Sequence, residues 1–352
     1  MKLAPSLQNQ GWDFLFYLTS YYHDLTIFTN PRSQGLTVEI NQKNSMSNLL
    51  EVKNVVKKYG DYVALNEVSL TIPKGSIYGL LGPNGAGKTS LIRIINQITM
   101  PDSGEIIFDG EKLSPEHVQY IGYLPEERGL YKTMKVGEQC LYLAQMKGLS
   151  KAEAKKQLEY WFERLEIQGW WNKKIQELSK GMAQKVQFVV CVLHKPKLLI
   201  FDEPFSGFDP VNANIIKEEI LELQRQGSTI IFSTHRMESV EELCDDIALI
   251  HKSNKLIEGK LDDVKRKFRT NSFEVGILSD NVEGLMYDIT QKFKVGQTNF
   301  KSLNNELKLE IQLGNATPNE LLHILVQRGQ VTHFMEKIPS VTDIFIQTVS
   351  EK

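Results

Sequence analysis

Eight consecutive residues, Gly82, Pro83, Asn84, Gly85, Ala86, Gly87, Lys88 and Thr89, fill the template G-x-x-x-x-G-K-[ST] without a mismatch. Backbone N–H groups of such a loop converge on phosphate oxygens, and a following helix adds the positive end of its dipole. Lys88 is expected to reach the β- and γ-phosphates of a nucleotide, and the Thr89 hydroxyl to hold Mg²⁺. Ser90, where the helix begins, is counted with the nucleotide-binding residues. A second set lies farther along, where the apolar run Leu198-Leu199-Ile200-Phe201 ends in Asp202, Glu203 and Pro204. An aspartate at such a strand end is placed to bind Mg²⁺, directly or through water, and an adjacent glutamate can polarise an attacking water as general base.

These groups need a scaffold, and the chain supplies the signals for one. Ser76 to Leu81 reads as a buried strand entering the loop, and Ser90 to Asn96 as a helix leaving it. Lys197–Phe201 and Ser228–Ser233 are further buried-strand candidates, with a helix from about Pro210 to Gln226 between them. Val68–Ile72 alternates with period two, Glu105–Gly110 is a short strand between turns, and Asp246–Glu258 reads as a hairpin around Ser253-Asn254. From about Met134 to Trp171 the period is helical, in two segments divided near Gly148–Lys151. Leu158, Trp161, Phe162 and Leu165 form an i, i+3, i+4, i+7 stripe there, expected to be subdomain core. Residues 261–269 read as a basic amphipathic helix or linker. The remainder reads strand (272–278), helix, strand (307–313), helix (319–328), strand (330–334) and helix (341–349). The fold class is therefore α/β: a P-loop domain over residues 48–268 with a helical subdomain at about 127–180, and a small C-terminal α+β domain over 269–352.

Residues 1–47 differ from the rest, with a short aromatic patch between polar stretches and no periodic pattern until Leu49. The expectation is that translation starts naturally at Met46 or that this stretch is a disordered tail. Over the 352 residues, a composition of 41% hydrophobic and 24% charged residues is ordinary for a globular protein. A net charge of −2 gives no general attraction to nucleic acid, and none is expected as a partner. Cys140, Cys191 and Cys244 are far apart and fit no metal spacing, so they are expected to be free thiols. No apolar run approaches the roughly 20 residues of a membrane helix; any action on a membrane has to pass through another polypeptide.

A P-loop alone fits kinases, GTPases and many ATPases. Taken with the acidic strand end, however, residues 49–260 resemble the nucleotide-binding subunit of an ATP-binding-cassette (ABC) transporter. Leu178-Ser179-Lys180-Gly181-Met182 stands where that family has Leu-Ser-Gly-Gly-Gln. The resemblance implies that Ser179 and Gly181 meet the γ-phosphate of ATP held on the P-loop of a second subunit, while Lys180 and Met182 depart from the plain pattern. Phe205-Ser206-Gly207-Phe208-Asp209 resembles the family's dimer-contact loop, with Asp209 its aspartate. Ser233-Thr234-His235 resembles the switch segment, which makes His235 a γ-phosphate ligand that steadies Glu203 and the water, and Tyr59 matches the aromatic that stacks on adenine. Glu126 stands where the family usually has glutamine. Its carboxylate can accept from Mg²⁺-bound water but cannot donate while ionised.

The run Leu124-Pro125-Glu126-Glu127-Arg128-Gly129-Leu130-Tyr131 resembles a subgroup serving ABC-2-type exporters, including sodium-extrusion-like systems. The ending Pro339-Ser340-Val341-Thr342-Asp343-Ile344-Phe345-Ile346 resembles that subgroup's accessory domain. The implied protein is a cytoplasmic ATPase with ATP and Mg²⁺ as cofactors, peripheral on the inner face of the cell membrane. It would pair with a second copy or another ABC subunit and power an integral permease docked near residues 126–131. The competing expectation is a non-transport ABC ATPase that regulates secretion or surface machinery, or ribosome function.

Overall fold

The computed structural model describes residues 25–29, 36–40, 47–126, 129–297 and 306–350. Strands β1 (Leu25–Thr29) and β2 (Leu36–Ile40) form a separate antiparallel ladder, with Leu25 opposite Ile40 and Thr29 opposite Leu36. The rest of the stretch expected to be absent or disordered, Met46 included, lies outside the described residues.

From Asn48 onward, β3 (Asn48–Tyr59) and β4 (Tyr62–Pro73) run antiparallel and lead into β5 (Ile77–Leu81), the phosphate-binding loop and helix α1 (Lys88–Ile95). Strands β6 (Ser103–Phe108) and β7 (Glu111–Lys112) complete an antiparallel sheet in the order β4-β3-β6-β7. Then follow β8 (Ile121–Leu124), three helices, α2 (Val136–Met146), α3 (Lys151–Arg164) and α4 (Lys180–Val192), and β9 (Leu198–Asp202). Helix α5 (Pro210–Arg225), β10 (Thr229–Thr234), α6 (Met237–Leu243), β11 (Asp246–His251), β12 (Asn254–Lys260) and α7 (Leu261–Lys267) close this part of the chain.

A six-stranded sheet has the order β12-β11-β5-β10-β9-β8. All its neighbours are parallel except the edge strand β12. Every residue of β5, β9 and β10 is buried, as expected of a parallel sheet covered on both faces. Alternate residues feed two cores. Ile77, Leu199, Phe201, Ile230 and Phe232 pack toward the helices, among them the Leu158, Trp161, Phe162 and Leu165 stripe. Tyr78, Leu80, Leu198, Ile200 and Ile231 pack toward α1 and the antiparallel sheet. Cys140, Cys191 and Cys244 are buried free thiols.

The C-terminal part is β13 (Ser272–Leu278), α8 (Val282–Lys292), β14 (Lys294–Gln297), β15 (Leu307–Gln312), α9 (Pro318–Arg328) and β16 (Gln330–Glu336). This βαββαβ succession with sheet order β14-β15-β13-β16 is the ferredoxin-like split βαβ arrangement. Strand β14 was not expected. It is four residues long, and Lys294 and Gly296 on it are exposed, so it carries no alternating apolar signal. The last helix, α10 (Val341–Ser350), leaves this unit and packs on α6, burying Val341 and Ile344 in the helix-side core of the six-stranded sheet.

Candidate functional site

The loop from Gly82 to Gly87 turns sharply between β5 and α1, and two of its glycines leave no room for a side chain. A Cβ on Gly82, at φ +145°, would stand 2.1 Å from the Ile250 carbonyl oxygen, and one on Gly87, at φ +114°, 2.3 Å from that of Ala64. Gly87 caps α1 without a side-chain hydrogen bond, so the first-turn N–H groups of α1 have no intrahelical or side-chain acceptor there. The loop is braced from outside, with Tyr62 Oη donating to the Gly85 carbonyl at 2.8 Å and Ser253 N–H to that of Ala86 at 3.2 Å. Asn84, Gly85 and Thr89 are exposed, Pro83 and Ser90 half-buried, and Gly82, Ala86 and Lys88 buried. The Lys88 ammonium spans the loop, donating to the Gly82 carbonyl at 2.6 Å and the Pro83 carbonyl at 3.1 Å.

Parallel pairing brings the ends of β9 and β10 beside that loop, since both β9 and β5 flank β10. Asp202 accepts a hydrogen bond from Ser233 Oγ at 2.8 Å. Glu203 adopts a left-handed backbone, φ +50°, with its N–H donating to the Ser233 carbonyl at 2.9 Å. This costs a non-glycine residue on the order of 1 kcal/mol and is typical of functional positions. Its carboxylate is held from both sides. Oε1 accepts from the His235 backbone N–H at 2.8 Å and lies 2.5 Å from His235 Nδ1, and Oε2 accepts from Thr234 Oγ1 at 3.1 Å. A ring nitrogen so close to a carboxylate oxygen carries the proton, and the His235 side chain is half-exposed.

The charges of this cluster act on one another. Burial pushes the Lys88 ammonium below its usual pKa, and the negative charges of Glu203, Asp202 and Glu126 oppose that shift. Burial also raises the Asp202 carboxyl, with Glu126 and Glu203 adding to the rise and the Ser233 hydroxyl opposing it. Lys88, Asp202, Glu203 and Glu126 thus form one electrostatic group, although Glu126 itself is exposed. Among the described residues no three His, Cys, Asp or Glu side chains converge as a ready cage for a metal ion. The donors on offer, the Thr89 hydroxyl and the Asp202 and Glu126 carboxylates, are all hard oxygens. They fit Mg²⁺, which is held by one or two carboxylates together with substrate phosphates.

The other residues singled out in the sequence lie around this cluster in different settings. Tyr59 is exposed near the end of β3, with Lys57 Nζ 5.5 Å from its ring centroid. Ser179 caps α4, its hydroxyl accepting from Met182 N–H at 3.2 Å, and Gly181 is half-buried beside the Gly207–Phe208 loop. Asp209 caps α5, accepting from Asn212 N at 3.0 Å and Nδ2 at 2.6 Å. Of the expected docking run, Glu127 and Arg128 lie outside the described residues. Sequence reasoning missed Tyr62 and gave no role to the hydroxyls of Ser233 and Thr234. The only hint for the latter two was their place directly before His235.

Similarity to known proteins agrees with this arrangement. Residues 65–206 match the ABC transporter family model, and residues 259–349 match that of the C-terminal domain of DrrA1-3-like ATP-binding proteins. An uncharacterized ABC transporter ATP-binding protein of Bacillus subtilis, YhaQ, is 42% identical over 301 residues, covering 86% of this chain and 98% of that protein. The linearmycin resistance ATP-binding protein LnrL of the same organism is 32% identical over 292 residues, 81% of this chain and 91% of its own. A solved ATP-binding subunit of an ABC transporter superimposes with a TM-score of 0.59 at 34% identity, over 62% of this chain and 93% of that one.

The chain belongs to the ABC transporter ATP-binding proteins, a family that hydrolyses ATP to power transport. The expected P-loop α/β fold and ATPase class are borne out. Among the described residues no helix is long and apolar enough to cross a membrane.

Proposed function

We propose that the cassette, residues 48–268, hydrolyses Mg²⁺-ATP in a composite site made by two subunits and drives an export permease of the ABC-2 type. The observation that carries this reading is the Glu203 carboxylate, fixed by His235 and Thr234 at the strand end beside the Lys88 loop. Tyr59 stacks on the adenine, and the backbone N–H groups of residues 82–90 and the Lys88 ammonium take the phosphates. Thr89 and Asp202 would hold Mg²⁺, with Glu126 accepting from its water shell, and the ion would supply neutralisation of phosphate charge. Glu203 orients the attacking water and draws its proton, and His235 presents Nε2 toward the γ-phosphate while its Nδ1–H steadies Glu203.

Ser179 and Gly181 of a second subunit complete the phosphate shell, and Asp209 supports the loop that meets it. The resulting closure pulls on a permease docked near residues 126–131, which makes the protein peripheral to the inner membrane face. Kinship with a linearmycin resistance protein supports export as the direction. The test is Glu203→Gln, which retains the size of the side chain but not its basicity. Turnover falls at least about a hundred-fold, nucleotide binding persists, and light scattering detects an ATP-trapped dimer. Ordinary turnover by this variant removes Glu203 from the role of base.

A further inference from the structure

Helix α6 begins at Met237, two residues after His235, so its position sets where that histidine stands. On its inner side α6 packs against β5 and β10, burying Val240 and Leu243. On its outer side it meets α10, more than ninety residues later in the chain and reached only after the whole ferredoxin-like unit. The joint is specific. Glu241 accepts from the Val341 backbone N–H, in the first turn of α10, at 2.6 Å, and from Lys265 Nζ of α7 at 2.6 Å. Val341 and Ile344 are buried with Val240 and Leu243 in one core, and Phe345 meets the His251 ring edge-on at 6.1 Å. Acceptance by a carboxylate of an N–H at a helix start is a charge-assisted bond, stronger than a neutral one.

We propose that Glu241 is a positioning residue for hydrolysis: by clamping α10 and α7 onto α6, it holds His235 in register with Glu203, so that the chain's last helix completes the catalytic geometry. This rests on the hydrolytic reading of His235 and Glu203 given above. The partners of the Glu241 carboxylate are Val341 and Lys265, neither of them in the phosphate loop, so the clamp acts on turnover and leaves ATP binding alone.

The experiment uses the purified full chain with Mg²⁺-ATP. Glu241→Ala lowers kcat about ten-fold while the Kd of a fluorescent ATP analogue stays within about two-fold, the pattern of an interaction needed only for the chemical step. Glu241→Gln keeps an acceptor for the Val341 N–H and recovers most of the rate. In the His235→Ala background the alanine at 241 costs less than about a further two-fold, since coupled residues are not additive. The imidazole nitrogen resonances of His235 shift in Glu241→Ala and return in Glu241→Gln. Should Glu241→Ala not fold, Val341→Pro removes one N–H at a first-turn position where proline is tolerated, with the same expectation.

An unchanged kcat overturns the proposal, as does a loss of rate and affinity together with no rescue by glutamine. A slow His235→Ala that Glu241→Ala slows by the full additional factor overturns the clamp alone. A normal His235→Ala overturns both the clamp and the hydrolytic reading.

Discussion

The six-stranded sheet and the four-stranded ferredoxin-like sheet are built on opposite principles. In the six-stranded sheet, β5, β9 and β10 are buried on both faces, so their sequences are unbroken apolar runs, Ile77–Leu81, Leu198–Phe201 and Ile230–Phe232. Charged groups appear only beyond those runs, and there they converge: Lys88, Asp202, Glu203 and His235. In the ferredoxin-like sheet, helices cover one face and the strands alternate, with Val275, Ile277, Leu309 and Ile311 inward and Glu274, Lys308 and Glu310 less buried. Charges there are spread along the strands and tied in pairs such as Lys337–Glu310 and Arg269–Glu336. A charge at the end of a dry strand is exceptional and points to chemistry; a charge on a half-wet strand is background.

The sharpest way to break the comparison is at Lys88. Buried charge kept without a structural ion pair is costly unless it serves a ligand. Lys88→Ala therefore lowers kcat/KM by about 10²–10³-fold, the scale of removing a phosphate-directed donor, while the folded chain survives. Steady-state phosphate release checks it. A loss of less than ten-fold would mean that Lys88 serves the loop's own carbonyls and not a nucleotide.

A pair of cavities separates the two sheets as folding units. Phe201→Ala opens a hole directly before Asp202 and Glu203 and costs about 3–5 kcal/mol, and Ile277→Ala costs about 2–5 kcal/mol in the other core. The first variant loses nucleotide affinity along with stability. The second melts the ferredoxin-like unit early and leaves affinity intact, which differential scanning calorimetry shows as a separate low-temperature transition. A single shared transition in Ile277→Ala would make the two sheets one cooperative unit.

The same contrast explains what could be read from residue order. The dry strands, the phosphate loop, the Leu158–Leu165 stripe and the hairpin at Ser253-Asn254 carry strong local patterns, and each is present in the fold. Strand β14 has no such pattern, since its pairing with β15 supplies what its own residues do not. The left-handed backbone of Glu203 and the Tyr62–Gly85 bond depend on how distant segments meet, so no spacing announces them. Asp209 shows a further limit. An aspartate before Pro210 signals a helix start as strongly as it signals a contact loop, and its carboxylate does cap α5. The docking of α10 on α6 links positions about a hundred residues apart and leaves no trace in either segment alone.

The smallest expected effect lies where the β4-β3-β6-β7 sheet touches the six-stranded one. Asp109, in the turn after β6, accepts from Lys197 Nζ at 2.7 Å and pairs with Lys74 Nζ at 2.6 Å. Lys197 is the residue before β9, so the carboxylate ties one sheet's turn to the start of the strand that ends in Asp202. Hydrogen bonds from the two lysines hold the Asp109 carboxyl down at about 2. A depressed carboxylate stabilises the fold fully above its unfolded value, about 3.9, and that contribution is lost as pH falls through about 2. The group is partly in water, so screening leaves less than about 1 kcal/mol at neutral pH. Asp109→Asn therefore lowers Tm slightly at pH 7 and converges with the wild-type chain as pH drops from about 4 toward 2. Thermal scans across that range check it, and curves that stay parallel throughout would mean that the two lysines do not hold Asp109 in solution.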